Sequence, residues 1–113
     1  MILATIRMKI SPQKHGEALK ILKSIVEVNR ILPGCLRCRI YEDIQEDDVI
    51  LYEEMWQSEE ELAQHLRSDE YRKVLLVMEM ALYHPEVGFN TLTSSTGIET
   101  IEKARRFTRR VRL

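Results

Sequence analysis

The sequence has few cysteines, no long apolar run and almost no net charge, and each of these shortages excludes a class of protein. Two cysteines among 113 residues provide no disulfide framework and fit the reducing cytoplasm. No apolar run approaches the roughly 20 residues of a membrane helix, and the start, "MILATIRMKI", lacks the regions of a signal peptide. The net charge of −1 offers no electrostatic reason to expect nucleic acid or an anionic membrane. We therefore expect a cytoplasmic domain with no nucleic-acid partner and no membrane partner.

Several signatures of catalysis and cofactor binding are missing as well. The sequence contains no phosphate-binding loop, no Ser-His-Asp arrangement, no paired-carboxylate site and no Gly-x-Gly-x-x-Gly fingerprint of flavin or nicotinamide enzymes. His15, His65 and His84 lie on separate predicted elements, so nothing brings them together with the cysteines around zinc. We expect no cofactor and no metal.

What the sequence does contain is typical of one globular domain, with 44% hydrophobic and 31% charged residues. "ILATIRMKI" alternates as a half-buried strand does. Ser11 and Pro12 then predict a helix start with a side-chain cap, and "LPG" predicts its end. Between them, apolar residues recur at helical spacing at Ala18, Ile21, Leu22, Ile25, Val28 and Leu32.

The rest of the chain predicts a hairpin, two helices and a last strand. "CLRCRIYED" and "VILYEEMW" form the hairpin, and Ser58 with Glu61 forms a capping box before a short helix. Ser68 caps a second helix through "DEYRKVLLVMEMALYHP", and "EVGFNTLT" is the last strand. The order strand, helix, strand, strand, helix, helix, strand predicts an α+β ferredoxin-like fold, an antiparallel sheet with helices on one face.

The strand "VILYEEMW" has large apolar residues in both of its alternating sets. Ile50, Tyr52 and Trp56 make one set, and Val49, Leu51 and Met55 make the other. The helices can cover only one face, so the other face needs a partner. We predict a homodimer in which two sheets pack face to face.

The chain divides into a domain, residues 1–94, and a tail, residues 95–113. In the tail "IETIEKARRF" has the spacing of a short helix with a thin apolar face, and six of the last eleven residues are Lys or Arg. Two interpretations stay open, a basic arm for an acidic partner or nucleic acid and a frayed or dimer-wrapping end. The lack of interleaved aromatic residues favours the second.

The two cysteines form the motif Cys35-Leu36-Arg37-Cys38, which in other proteins is a redox or metal site. Here the pair enters a strand, whereas a reactive thiol of this kind begins a helix. Residues three apart in a strand are about 10 Å apart, which is too far for a disulfide, and they point to opposite faces. We therefore interpret both cysteines as packing residues.

Four aromatic side chains are candidates for a site. His65 has apolar neighbours at helical spacing, so it points toward the sheet, either as a core residue or as a base or hydrogen-bond donor. Trp56 ends the hairpin strand and is either core or the wall of an aromatic pocket. Tyr41 and Tyr52 bring hydroxyl groups to the same sheet and have the same two interpretations.

"LPGCLRCRIYED" and "ILYEEMWQSEEELAQHLRSDEYRKV" resemble the antibiotic biosynthesis monooxygenase (ABM) domain, and the resemblance runs from about Ile2 to Thr93. It implies a ferredoxin-like protein that dimerises into an α/β barrel. Members of the family include cofactor-independent oxygenases of quinol- or anthrone-like compounds, in which the deprotonated substrate itself reduces dioxygen. Trp56, Tyr41 and the His65 of "HL" match pocket residues of such relatives.

This sequence also departs from its relatives. Glu70 replaces a second histidine after "HL", Tyr52 replaces the asparagine of anthrone-type members, and "RKVLLVME" lacks the histidine of heme-degrading members. We predict a small monooxygenase with dioxygen and a small aromatic, quinol-like compound as substrates. His65 is its catalytic residue, and Trp56, Tyr41 and Tyr52 bind the substrate. The alternatives are a non-catalytic ligand-binding or dimerisation module and an isomerase of a small carbonyl compound.

Overall fold

The computed structural model describes residues 1–105, which form four strands and four helices. In chain order they are β1 Ile2–Lys9, α1 Pro12–Asn29, β2 Cys35–Glu42, β3 Val49–Trp56, α2 Glu59–Leu66, α3 Arg72–Glu79, β4 Glu86–Thr91 and α4 Ile98–Arg105. The strands form one sheet in the order β2-β3-β1-β4, and every neighbouring pair is antiparallel. This is the α+β ferredoxin-like fold predicted from the sequence.

The core lies between one face of the sheet and the helices. Alternate residues of β1 and β3 face the helices because neighbouring side chains of a strand point to opposite faces. α1 packs on α3 and β2, and α2 packs on β3. The largest cluster of fully or nearly fully buried side chains includes Ile6, Met8, Ile10, Leu22, Ile25, Ile50, Tyr52, Val74 and Val77. A smaller cluster at the other end of β1 joins Ile2, Trp56 and Leu62.

The predicted helix starts differ in how they are capped. The side chain of Ser11 makes no capping hydrogen bond, so the start of α1 depends on Pro12 instead. Ser58 does cap α2, since its Oγ accepts the Glu61 N–H at 3.2 Å and donates to Glu61 Oε1 at 3.0 Å. The capping box is thus confirmed, and the side-chain cap of Ser11 is not.

The helix predicted after Ser68 is shorter than its sequence pattern. α3 ends at Glu79, because Ala81 leaves the helix to form a β-bridge with Ile10. The Leu82 N–H then donates to the Lys9 carbonyl at 2.8 Å. Ala81 and Leu82, which the local sequence pattern assigns to the helix, therefore pair with the end of β1 instead.

The two cysteines lie on the same face of the sheet, contrary to the prediction. The β2–β3 register shifts between Cys35 and Arg37, so Cys35 pairs with Trp56 and Cys38 with Glu54. Residues three apart in a regular strand point to opposite faces. A bulge inserts one extra residue between the two cysteines, so they point to the same face. Both cysteines are free thiols packed under the helices.

The tail begins after β4. α4 covers most of "IETIEKARRF", has no buried residue and packs closely against no other described element. Residues 106–113, which hold most of the predicted basic end, lie outside the described residues. Within residues 1–105, no helix is long and apolar enough to cross a membrane.

Candidate functional site

Strand β3 carries the centre of the candidate site on its helix-covered face. Tyr52, Glu54 and Trp56 alternate along this face and are almost fully buried. Glu54 pairs with Ala4 of β1, and that small side chain leaves room for a carboxylate above the sheet. A glutamate at such a position needs hydrogen-bonding partners, because an isolated buried charge is very costly.

The Glu54 carboxylate has four hydrogen-bonding partners. Its Oε2 is bonded to His65 Nε2 at 2.9 Å, to Asn29 Nδ2 at 3.1 Å and to the Tyr52 hydroxyl. Its Oε1 accepts the Trp56 Nε1–H at 3.0 Å. We call Glu54 and these four partners together the Glu54 cluster.

These hydrogen bonds keep Glu54 ionised. Burial by itself raises the pKa of the carboxyl group, but the hydrogen bond and the attraction of His65, with the bonds from Tyr52 and Trp56, lower it below the ordinary value of 4.5. Burial, followed by the negative charge of Glu54, raises the pKa of Tyr52 far above that of a free phenol. The cluster thus holds one carboxylate and a tyrosine that keeps its proton.

His65 is held on three sides, by Glu54, Trp56 and Tyr71. Its ring lies 4.6 Å from the Trp56 ring at a tilt of 30°, and it meets the Tyr71 ring edge-on at 5.2 Å. Because an ionised carboxylate only accepts hydrogen bonds, the proton of the bond to Glu54 resides on Nε2. The other ring nitrogen, Nδ1, is buried and has no partner among the described residues. In the neutral ring Nδ1 therefore carries the free lone pair.

A cavity of about 300 Å³ opens beside His65, between the end of α1 and α2. Its apolar wall consists of Val28, Leu32, Pro33 and Trp56. Its polar wall consists of Glu61, Gln64, His65, Ser68 and Glu70. Apolar walls with a few polar groups are typical of small-ligand sites, and this volume is at the small end of their range.

The structure brings together three of the four predicted site residues. His65 and Trp56 line the cavity, and Tyr52 contacts Glu54 behind it. Tyr41 pairs with Leu51, so it lies on the opposite face of the sheet and is 40% exposed. Its neighbour Ile40 pairs with Tyr52 instead. A role for Tyr41 therefore stays a prediction, and such a role would concern the face of the sheet that α1, α2 and α3 leave uncovered, which we call the open face.

Sequence reasoning missed two members of the cluster, Glu54 and Asn29. Glu54 interrupts the apolar set of β3, between Tyr52 and Trp56, and a charge at a core position is itself a signal. Asn29 follows Ile25 by four residues on the buried stripe of α1 and is fully buried. Both signals were present in the sequence, as polar residues inside otherwise apolar patterns.

The surroundings of both thiol groups in this region favour the protonated thiol over the thiolate. Cys38 Sγ lies 3.3 Å from the Tyr52 hydroxyl. Burial raises its pKa to about 11, and burial also raises the pKa of Cys35. Thiolates are the reactive and metal-binding form. Among residues 1–105, no group of three or more His, Cys, Asp or Glu side chains is arranged to hold a metal ion.

The sequence of the chain matches a known family. The sequence profile of the antibiotic biosynthesis monooxygenase family matches residues 1–75. An uncharacterised protein, sll1783 of Synechocystis, is 31% identical over 61 residues, which are 54% of this chain and 42% of that protein. The chain thus matches less than half the length of this relative.

Solved structures share the fold over most of the chain. A conserved protein of Methanosarcina mazei superposes with a TM-score of 0.73 at 24% identity, covering 79% of this chain and 89% of its own. A candidate antibiotic biosynthesis monooxygenase of Deinococcus radiodurans has a TM-score of 0.78 at 16% identity, with 87% and 98% covered. Rv0793 of Mycobacterium tuberculosis has a TM-score of 0.75 at 18% identity, with 85% and 98% covered. At these identities the likeness establishes the fold alone.

Proposed function

Because the chain belongs to the antibiotic biosynthesis monooxygenase family, we propose that it is a small cofactor-independent monooxygenase that oxidises an aromatic, quinol-like substrate with dioxygen. The observation that carries the proposal is His65, which lines the cavity beside Trp56 while its Nε2 is bonded to buried Glu54 at 2.9 Å. A quinol needs a base for one hydroxyl proton, an apolar wall for its ring and a site that holds little water.

In the proposed reaction His65 Nδ1 takes a proton from a substrate hydroxyl. The imidazolium that forms lies against the Glu54 carboxylate, which stabilises its positive charge. Tyr52 and Asn29 hold Glu54 in place by their hydrogen bonds. Both are thus positioning residues, and His65 is the group that contacts the substrate.

The deprotonated quinol then reduces dioxygen. One oxygen atom forms a bond to a ring carbon, the C–H bond of that carbon breaks and its hydrogen moves to this oxygen to give a hydroxyl group, and the O–O bond breaks. The diol becomes a quinone, and the second oxygen atom leaves as water with the two protons that the diol gave up. Quinol and dioxygen thus yield hydroxyquinone and water, with His65 returning its proton to the departing oxygen. Trp56 forms the wall against which the ring lies.

We also propose that the protein is a cytoplasmic homodimer, joined through the open face of the sheet. This face is covered by none of α1, α2 and α3, and it carries Leu3, Leu51 and Met55 among charged side chains. Sedimentation should give a dimer at micromolar concentration, and Leu51→Asp should dissociate it. A monomeric wild-type protein would contradict this part of the proposal.

The oxygenase is tested by dioxygen uptake over a panel of quinols and anthrones. His65→Gln keeps an N–H donor for Glu54 but has no base, so uptake should fall about 100-fold or more, while the fold is kept. Trp56→Ala should also lower uptake, and His84→Ala, an exposed histidine away from the cavity, should not. Ligand binding without uptake would favour the non-catalytic alternative, and uptake unchanged in both site variants would refute the assigned roles.

A further inference from the structure

Glu61, on the polar wall of the cavity, is a carboxylate without a positive partner among residues 1–105. The cavity has a second carboxylate, Glu70, but Lys73 Nζ lies 3.0 Å from its Oε1. Glu61 accepts only the Ser58 hydroxyl, and no Lys, Arg or His of residues 1–105 forms an ion pair with it. Of the two carboxylates that line the cavity, Glu61 is therefore the one whose charge no side chain of residues 1–105 neutralises.

The fold holds this carboxylate in a defined place. Gly34 ends the α1–β2 turn with φ +86°, and a Cβ on it would lie 1.9 Å from Glu61 Oε2. The carboxylate thus occupies the space that the missing side chain leaves, while Ser58 holds Oε1. A side chain packed on a turn and tied to a helix cap keeps its position better than a free surface glutamate does.

Glu61 and His65 form a pair of acceptors on one helix. They are four residues apart on α2, which places them on the same side with Cβ atoms about 6 Å apart. His65 is 5% exposed, and its Nδ1 has no partner among the described residues. Trp56 and Leu32 form the facing apolar wall. Both side chains line the same cavity, so one aromatic ring that fills it faces both of them.

We propose that Glu61 determines the charge of the ligand, so that the cavity takes one-ring aromatics with a hydroxyl toward His65 and a neutral donor or a cation toward Glu61. An aromatic acid of the same shape places its carboxylate beside Glu61. It binds at least tenfold more weakly, because two neighbouring negative charges repel each other. The inference rests on the proposed function for its choice of ligand, yet it concerns binding alone.

The test is calorimetric titration under nitrogen with three phenols of matched shape. These are hydroquinone, which is neutral, 4-hydroxybenzylamine, which is a cation, and 4-hydroxybenzoate, which is an anion. Wild-type protein should bind the first two at least tenfold more tightly than the third. Glu61→Gln keeps an oxygen for the Ser58 hydroxyl and should reduce this difference to less than threefold. Glu60→Gln, an exposed neighbour outside the cavity lining, should leave it unchanged.

The outcomes separate this inference from the proposed function. Equal binding of all three phenols by the wild type, no binding of any, or the same difference in Glu61→Gln would each overturn the role of Glu61. Oxygen uptake that persists in that case would leave the proposed function standing. Charge discrimination that disappears in Glu61→Gln, in a protein that consumes no oxygen with any quinol, would support the role of Glu61 and refute the oxygenase.

Discussion

The structure predicts in most detail how replacing Glu54 by glutamine changes the stability of the protein. The amide has almost the shape of the carboxylate, so packing changes little. Its one oxygen cannot serve the partners that now share Oε1 and Oε2, and its NH₂ group must face at least one donor, such as Trp56 Nε1–H or Asn29 Nδ2–H. Glu54→Gln therefore leaves buried donors without acceptors.

The magnitude follows from the number of hydrogen bonds lost. A buried donor without an acceptor costs about 1–3 kcal/mol, with charged partners at the upper end. Glu54 and the His65 ring are both almost fully buried, so solvent screens their interaction little. We expect the free energy of unfolding at pH 7 to fall by about 3 kcal/mol. A domain of this size, stable by about 5–15 kcal/mol, still folds.

The pH dependence identifies the cause of that loss. The pKa of Glu54 lies below 4.5 in the folded chain, so the unfolded chain takes up this proton first as pH falls. The stabilisation is therefore complete above about pH 4.5 and is lost as pH falls through the folded-state pKa. Urea unfolding at pH 7, 5, 4 and 3 should show the difference between wild type and Glu54→Gln shrinking toward pH 3.

Glu17→Gln is the control, since Glu17 is an exposed glutamate of α1. Its free energy of unfolding should stay within about 0.5 kcal/mol of the wild type. A variant Glu54→Gln as stable as wild type at pH 7 would refute the ionised cluster. A difference that stays constant from pH 7 to pH 3 would show that the loss comes from packing and not from charge.

Two further predictions concern the turn and the thiols. Gly34→Ala should lower the free energy of unfolding by about 1–2 kcal/mol because of the positive φ of Gly34. Gly16→Ala in α1, where an added Cβ meets nothing within 4 Å, should raise it by about 0.5–1 kcal/mol. Equal effects of the two substitutions in urea unfolding would contradict the turn geometry. At pH 8 a disulfide reagent should label Cys38 far more slowly in the folded protein than in urea. The labelling rate of the folded protein should rise toward pH 11, since burial raises the pKa of Cys38 to about 11. Labelling of folded Cys38 as fast as in urea would show that the thiol is not buried as described.

The fold could be predicted from local patterns because its elements are regular. The alternation of β1, the stripe of α1 and the hairpin after "PG" fix the order of elements, and that order has few ways to form one sheet. Two of the predictions that failed depend on contacts distant in sequence. The bridge from Ile10 shortens the helix before Ala81, and the bulge after Cys35 changes which face a residue occupies.

The site was predictable where a side chain follows the regular alternation of a strand or the regular spacing of a helix. Trp56, Tyr52 and His65 lie together because each faces inward on β3 or α2. The same alternation determines the position of Tyr41 on β2. Its neighbour Ile40 faces the helices, so Tyr41 lies on the open face. Glu54 could be noticed as a misplaced charge, but its four partners come from α1, α2 and β3 and are apparent only once these elements pack.

The proposed proton transfer depends most directly on Glu54, which holds the proton of His65 on Nε2 and leaves Nδ1 as the base. Nitrogen-15 NMR of the histidine side chains distinguishes a protonated ring nitrogen from a bare one. At a pH at which the His65 ring is neutral, we expect its proton on Nε2, and Glu54→Gln should shift its signals while those of exposed His84 stay unchanged. A His65 ring with its proton on Nδ1 at that pH would contradict the proposed proton transfer.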